Sequence, residues 1–425
     1  EVDSPVPNRD NSNSSVGLGP NSGGGDGPGG TGGYFRKRPY ANPSGRKPQD
    51  PQTKAALEWL RDHQNREGYW SATTFGEDST REGAKHTHNI EFVNVGKTDG
   101  DTGWEATCDV GLTGLAMLAF SGPGYDHKTS IYRRTLRQAL LYLRKVQDND
   151  GCFGDKQDDQ FVYNHAICTM AVAELYGLSG DALLRPMVQR AADFILKAQN
   201  PGMGWRYGVQ PAFNDTSVSG WMVLTLHTCE LAGVHFDSSK CYDDAANWFE
   251  TVTVDSNGYM KCGYNAPGGN NARLRSAMGE YDHNPSMDAI YVMSMLFMGK
   301  RDLNDRDIRD MAKACTEKGF LPEWTKEKID YYYWYYASLA LYQTGGPAWD
   351  RWQKAMSSTL TEHQRGYSEA DRKAGLTDPK LLDEYGSWDP VGAWGAAGGR
   401  VYATAINCLT LETYYRHQRM EGKHK

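Results

Sequence analysis

The chain has no apolar run near the roughly 18 residues that a membrane span needs. Its longest apolar stretch, Ala289 to Met298, is interrupted by Ser294, so no transmembrane segment is expected. A basic surplus is also missing: 46 Lys and Arg stand against 53 Asp and Glu, giving a net charge of -7. With no concentrated Lys/Arg stretch to offset that balance, nucleic-acid partners are excluded. No C-x-x-C pair occurs among the eight cysteines. Cys168, Cys229 and Cys408 sit in apolar text where a thiol packs as a small hydrophobe, so buried free thiols are expected, with one or two disulfides as the alternative. The chain starts at Glu1 rather than Met. That fits a processed or excised protein and leaves localisation open, export or tethering through an upstream segment included.

Glycine, by contrast, is concentrated. Ten of the seventeen residues from Gly17 to Gly33 are glycine. Such text buries too little apolar surface to offset its ordering entropy, so residues 1–48 read as a disordered tail or linker and residues 49–425 as the folded domain. In that domain two kinds of helical text alternate. One is charged with an apolar stripe: Thr53 to Gln64, Ile131 to Gln147, Leu183 to Gln199, Tyr242 to Val252, Leu303 to Lys313 and Ala348 to Gln364. The other is apolar on nearly all sides: Asp109 to Phe120, Asn164 to Tyr176, Asp215 to Leu231, Met287 to Met298, Tyr331 to Tyr342 and Val401 to Tyr415. A helix apolar all round must be surrounded by protein, whereas a striped one faces water. The alternation therefore predicts an all-α fold, an (α/α)6 toroid with six inner helices wrapped by six outer ones. Three insertions, Ser71 to Thr107, Lys261 to Pro285 and Gly366 to Pro390, interrupt the period. They are functional loops or disordered ones.

A short phrase keeps step with the helix pairs: an aromatic-aliphatic pair, a Gln four residues on, then a glycine-aromatic turn. It reads Trp59-Leu60, Gln64 and Gly68-Tyr69-Trp70, then Tyr142-Leu143, Gln147 and Gly151-Cys152-Phe153. A third copy, Phe194-Ile195 with Gln199 and Gly204-Trp205, moves the turn by a residue, and a fourth, Trp248-Phe249 with Gly258-Tyr259, has lost the Gln. The turn alone recurs at Gly386-Ser387-Trp388. A Gln ending an outer helix can bond free main-chain groups of the next turn while the aromatic covers the helix end, which makes the phrase a clip between repeats.

These residues resemble the QW motif of squalene and oxidosqualene cyclases and the paired-helix repeat of protein prenyltransferase β subunits, over roughly residues 50–418. The resemblance implies the toroid and, at an inner-helix start, an acid in a D-x-D-D-T motif that protonates an alkene or epoxide. The matching text is Ala212-Phe213-Asn214-Asp215-Thr216, where only the last Asp and the Thr remain. Protonating a carbon-carbon double bond needs a strong acid, and an amide at Asn214 supplies none. Asp215 is the remaining catalytic candidate, and a helix N-cap is its plain alternative.

The inner-helix starts give the candidate ligand-binding residues Asn214, Trp221, His165, Asp109, Asp288, Tyr331, Trp334 and Tyr402. Helix N-termini attract anions and polar head groups, although capping accounts for many of the same residues. The aromatic run Tyr332 to Tyr336, with Trp334 and Trp221, is read as the lining of an apolar or carbohydrate-binding cavity, with core packing as the alternative. The Asp-x-Cys and distant His that hold zinc in the prenyltransferases find no match. His86-Thr87-His88 makes half a zinc site, and Asp155, Asp158 and Asp159 resemble an aspartate-rich magnesium site without its context. No cofactor is expected, with zinc and magnesium left open. The Gly-Cys-Gly-Glu-Gln run of thioester proteins, which share the toroid, is lacking. The expected function is binding of an apolar, isoprenoid-like small molecule or lipid without standard cyclase chemistry. The alternatives are a non-catalytic protein-interaction or envelope scaffold with a protein partner and, behind it, an (α/α)6 carbohydrate-active enzyme, which would need paired carboxylates.

Overall fold

The computed structural model describes residues 34–35, 38, 50–87, 100–159, 161–269, 284–317, 319–417 and 419. All twelve expected helices form. The outer ones are α1 (Pro51–Asp62), α3 (Arg133–Val146), α5 (Arg185–Ala198), α7 (Ser238–Thr251), α9 (Arg306–Ala314) and α11 (Gly346–Glu362). The inner ones are α2 (Asp109–Ser121), α4 (Phe161–Ser179), α6 (Thr216–Leu231), α8 (Ser286–Phe297), α10 (Tyr331–Thr344) and α13 (Gly395–Arg416), with a short α12 (Glu369–Lys373) between the last pair. Each inner helix packs on the next, and α13 returns to α2, so the ring is closed. The inner helices are buried on almost every side and the outer ones on one face only, as the two kinds of text require.

The glutamine clips recur around the ring. Gln64 Nε2 donates to the Gly68 carbonyl at 2.9 Å and, on the next outer helix, to Thr135 O at 3.0 Å. Gln147 does the same with Gly151 and Met187, and Gln199 with Met203 and Cys241. Gln364 is a fourth, bonding Gly386 O at 2.7 Å and Gln52 O at 2.9 Å, and it joins the last outer helix to the first. The indole N–H of Trp70, Trp205 and Trp388 donates back to Leu60 O, Ile195 O and Leu360 O. Gly68, Gly151 and Gly386 hold φ near +100°, +93° and +91°, and a Cβ on any of them would come within 2.2–2.3 Å of a carbonyl of the neighbouring outer helix. Only glycine admits that approach.

Where the fourth copy lost its Gln, a hairpin takes over. Strands β1 (Thr253–Ser256) and β2 (Tyr259–Cys262) pair antiparallel through Asn257-Gly258, both at positive φ. The first and third insertions meet. Lys85 bridges to the Leu381–Asp383 backbone, and Arg400, on α13, binds Asp101. The second insertion is described only at its ends. The Gly-rich part of the tail, residues 17–33, lies outside the described residues. Within the segment read as a linker, Phe35 and Arg38 are only 3% and 2% exposed and are built into the ring, so the folded body takes in residues ahead of 49. All eight cysteines are free and, Cys108 excepted, buried; no described helix is long and apolar enough to cross a membrane.

Candidate functional site

The inner helices start on one face of the ring, here called the mouth, and end on the other, the base. Four aspartates stand at the mouth, and each is held by main-chain donors. Asp109 Oδ1 accepts from Ala72 N at 2.7 Å, and Asp288 Oδ1 accepts from Cys262 N at 2.8 Å. Asp215 caps α6 through Val218 N at 2.7 Å, and Asp330 caps α10 through Tyr333 N at 3.0 Å. Burial pushes Asp109 up to about 6 and both Asp215 and Asp288 up to about 7, because their charged forms are desolvated. The second oxygen of Asp215 makes no hydrogen bond, and Arg206 Nε lies 3.9 Å from it. Asp215 is nonetheless sealed, with no exposed surface, and it serves as the cap that its sequence context allowed.

Several expected ligand residues lie elsewhere. His165 is fully buried. Its Nδ1 accepts from Phe153 N at 3.1 Å, and its Nε2 faces Ala191 O at 3.0 Å. It holds a turn as Thr113, Ser219 and Thr404 do for Trp70, Trp205 and Trp388, so it does not face the mouth. Tyr331 donates to Asp389 O and packs with Trp334 against Trp324, towards the outer layer. Asn214 accepts from Asn200 Nδ2 within its own loop. Trp221, on α6, reaches across to α10, which is not its ring neighbour. Its ring stacks on Tyr335 at 5.9 Å and meets Tyr336 edge-on at 5.6 Å. Lower down, Phe297 of α8 lies 6.3 Å from His417 just beyond α13. Side chains thus fill the middle of the ring among the described residues.

Above that filling lies a half-open aromatic bowl. The Tyr163 hydroxyl is 3.1 Å from Ser217 Oγ, which is 2.7 Å from the Tyr332 hydroxyl. Tyr163 packs beside Tyr207, whose hydroxyl meets that of Tyr264 at 3.0 Å. Tyr332 lies 6.2 Å from Trp394, and Tyr402 of α13 stands near Tyr332 with its hydroxyl buried. Tyr163, Tyr207, Tyr264, Tyr332, Trp394 and Tyr402 are each partly rather than fully buried. Arg206 lies over Tyr207 at 5.6 Å. The loop feeding α6 is strained: Gln210 and Ala212 hold φ of 49° and 63°, and Phe213 is 70% exposed. Apart from Tyr332 and Tyr402, the sequence signal for this bowl was missed. Helix α4 starts three residues before the expected Asn164, and that turn presents Tyr163.

A second cluster joins the insertions. His86 Nε2 is 2.8 Å from Asp101, and its Nδ1 is 3.4 Å from Glu384 and 3.5 Å from Asp383. His86, Asp101 and Glu384 are the described residues whose donor atoms group closely enough for a metal. Hydrogen bonds to Asp101 and Asp383 push His86 up to about 9. His88, the other half of the expected zinc pair, lies outside the described residues.

Residues 42–232 match the family model described as the squalene-hopene cyclase C-terminal domain. Among solved structures, an inactive variant of the GH76A α-1,6-mannanase of Salegentibacter sp., in complex with α-1,6-mannotriose, is similar at 9% identity, TM-score 0.53, over 86% of this chain and 98% of that one. An α-amylase from Clostridium perfringens is similar at 10% identity, TM-score 0.52, over 87% and 100%. These likenesses establish the toroid alone. A search of curated protein sequences gave no match.

Proposed function

We propose a function for what is, by the match over residues 42–232, a squalene-cyclase-like chain of the terpenoid cyclase superfamily: binding of a glycan at the mouth, without turnover by the family's acid chemistry. One observation carries the reading. Five tyrosines and a tryptophan from helices and loops far apart in sequence converge in one half-open bowl, several of them joined through their hydroxyls. Aromatic faces pack the apolar faces of sugar rings, and tyrosine hydroxyls and Arg206 offer hydrogen bonds to sugar hydroxyls. A hydrocarbon would leave the remaining hydrogen-bonding capacity of those hydroxyls desolvated and unused. The mannotriose held by a neighbour of the same architecture is in keeping with this ligand class.

Binding is preferred to hydrolysis because the mouth carboxyls are buried and each accepts a main-chain N–H. A hydrolase would need two carboxyls open to the scissile bond. The isoprenoid reading has the family match and the apolar inner helices in its favour. Against it stands the Trp221–Tyr335–Tyr336 contact, which occupies the space such a ligand requires.

The test is a fluorescence titration with manno- and gluco-oligosaccharides, beside farnesyl diphosphate and squalene. Saturable binding of an oligosaccharide, weakened about tenfold or more in Tyr207→Ala, is expected; tenfold corresponds to about 1.4 kcal/mol. Binding of the isoprenoids instead, or of neither class, would overturn the reading, and the latter result would favour a protein-interaction scaffold.

A further inference from the structure

At the base, the ring holds a segment of its own chain. Arg38 grips Glu174 with both guanidinium nitrogens, Nη1 to Oε2 at 2.9 Å and Nη2 to Oε1 at 3.0 Å. Nη1 also donates to the Ser121 carbonyl at 2.7 Å. The guanidinium carbon lies 5.0 Å from the centre of the Phe35 ring, which covers Gly177 so closely that a Cβ there would come within 2.3 Å. The Tyr34 hydroxyl is 3.4 Å from His417 Nδ1. The walls of this socket come from α2, α4 and α13. Glu174 also receives the Ser121 hydroxyl and Arg416 Nη2, the latter at 2.8 Å, and Arg416 pairs with Glu412 at 3.3 Å.

The grip has the marks of ligand recognition. A buried carboxylate meets a guanidinium as a two-pronged fork, a helix-end carbonyl takes a third N–H, and an aromatic ring fills a pocket shaped by glycine. The missing side chain of Gly177 leaves the space in which the Phe35 ring fits. The ring of twelve helices closes from residue 51 onward without this segment. Eleven residues separate Arg38 from Asp50, a tether that reaches up to about 35–40 Å when extended. The socket therefore recognises a short motif that the rest of the fold does not build.

We infer that the base of the ring is a binding site for an aromatic-x-x-arginine peptide segment, filled in this chain by its own Phe35 and Arg38 acting as a detachable plug. The socket is selective in its chemistry. Lysine cannot present the two-pronged fork, and an uncharged residue leaves Glu174 with Arg416 as its one remaining cation among the described residues. The inference is independent of the glycan reading, since the socket lies at the opposite ends of the inner helices.

The experiment places a specific protease site within residues 42–47 of the full chain, which is cut only after folding. The two pieces are expected to co-elute on gel filtration. A synthetic peptide of residues 31–42 should displace the cut segment, and the same peptide with Arg38→Ala should need at least tenfold more. In a chain carrying Arg38→Ala, the cut segment should separate from the ring. Because the peptide competition uses the unaltered ring, it stands even where that variant fails to fold. A cut segment that leaves the unaltered ring at once, or that stays whatever residue is at 38, would overturn the proposal.

Discussion

The mouth and the base are the two ends of the same six helices, yet they handle buried charge in opposite ways. At the base, ions meet ions: Arg38, Glu174 and Arg416 form one network, with Glu412, which burial pushes up to about 8, beside Arg416, and Arg38 and Arg416 also donate to the carbonyls of Ser121 and Leu118. Burial works against the Glu174 charge, but Arg38 and Arg416 overcome it and hold the carboxyl down to about 2. At the mouth, Asp109, Asp215 and Asp288 meet backbone N–H groups instead, and burial raises all three. Helix polarity explains the contrast. N-termini present free donors and positive dipole ends that take carboxylates, and C-termini present carbonyls that take arginines. Arg400, near the start of α13, is the exception, pairing with Asp101 and Asp389, and aromatic rings furnish the open surface at the mouth.

The contrast is broken most severely on the mouth face by Trp388→Ala, which removes a fully buried indole and its bond to Leu360 O. A loss of about 4 kcal/mol in chemical denaturation is expected. At the base, Arg38→Ala leaves Glu174 buried beside a single cation, and about 3 kcal/mol should be lost. Asp215→Asn sharpens the difference through pH. A carboxyl whose folded value, about 7, exceeds its unfolded value of 3.8 contributes stability that is present below pH 4 and lost as pH rises towards 7. Melting curves from pH 5 to 7 should show the wild type losing about 2 kcal/mol more than the Asp215→Asn variant. The smallest stability effect belongs to Tyr207→Ala, about 1 kcal/mol for a partly buried ring, and its signature is lost ligand binding.

Much of this architecture was legible because burial and helical period write themselves into composition. Six striped and six apolar segments became six outer and six inner helices, with boundaries shifted by a few residues. Gln364 escaped notice as a clip because the third insertion separates it from Gly386, and only the folded ring brings them together. His165 looked like a ligand because it stands at an inner-helix start, but it replaces a hydroxyl in a structural turn. The mouth was less legible. Tyr163, Tyr207 and Tyr264 lie in three separate segments, and no local pattern announces that their side chains converge. Phe35 and Arg38 were hidden for the opposite reason: a few anchoring residues do not alter the composition of a Gly-rich tail.

The most direct test of glycan binding at the mouth is ring-labelled tyrosine NMR during titration with a manno-oligosaccharide, the signals being assigned by single Tyr→Phe replacements. The account predicts that Tyr163, Tyr207, Tyr332 and Tyr402 shift together in a saturable way while Tyr34 at the base stays fixed. Saturable shifts confined to Tyr34, or none at any of these rings, would contradict it.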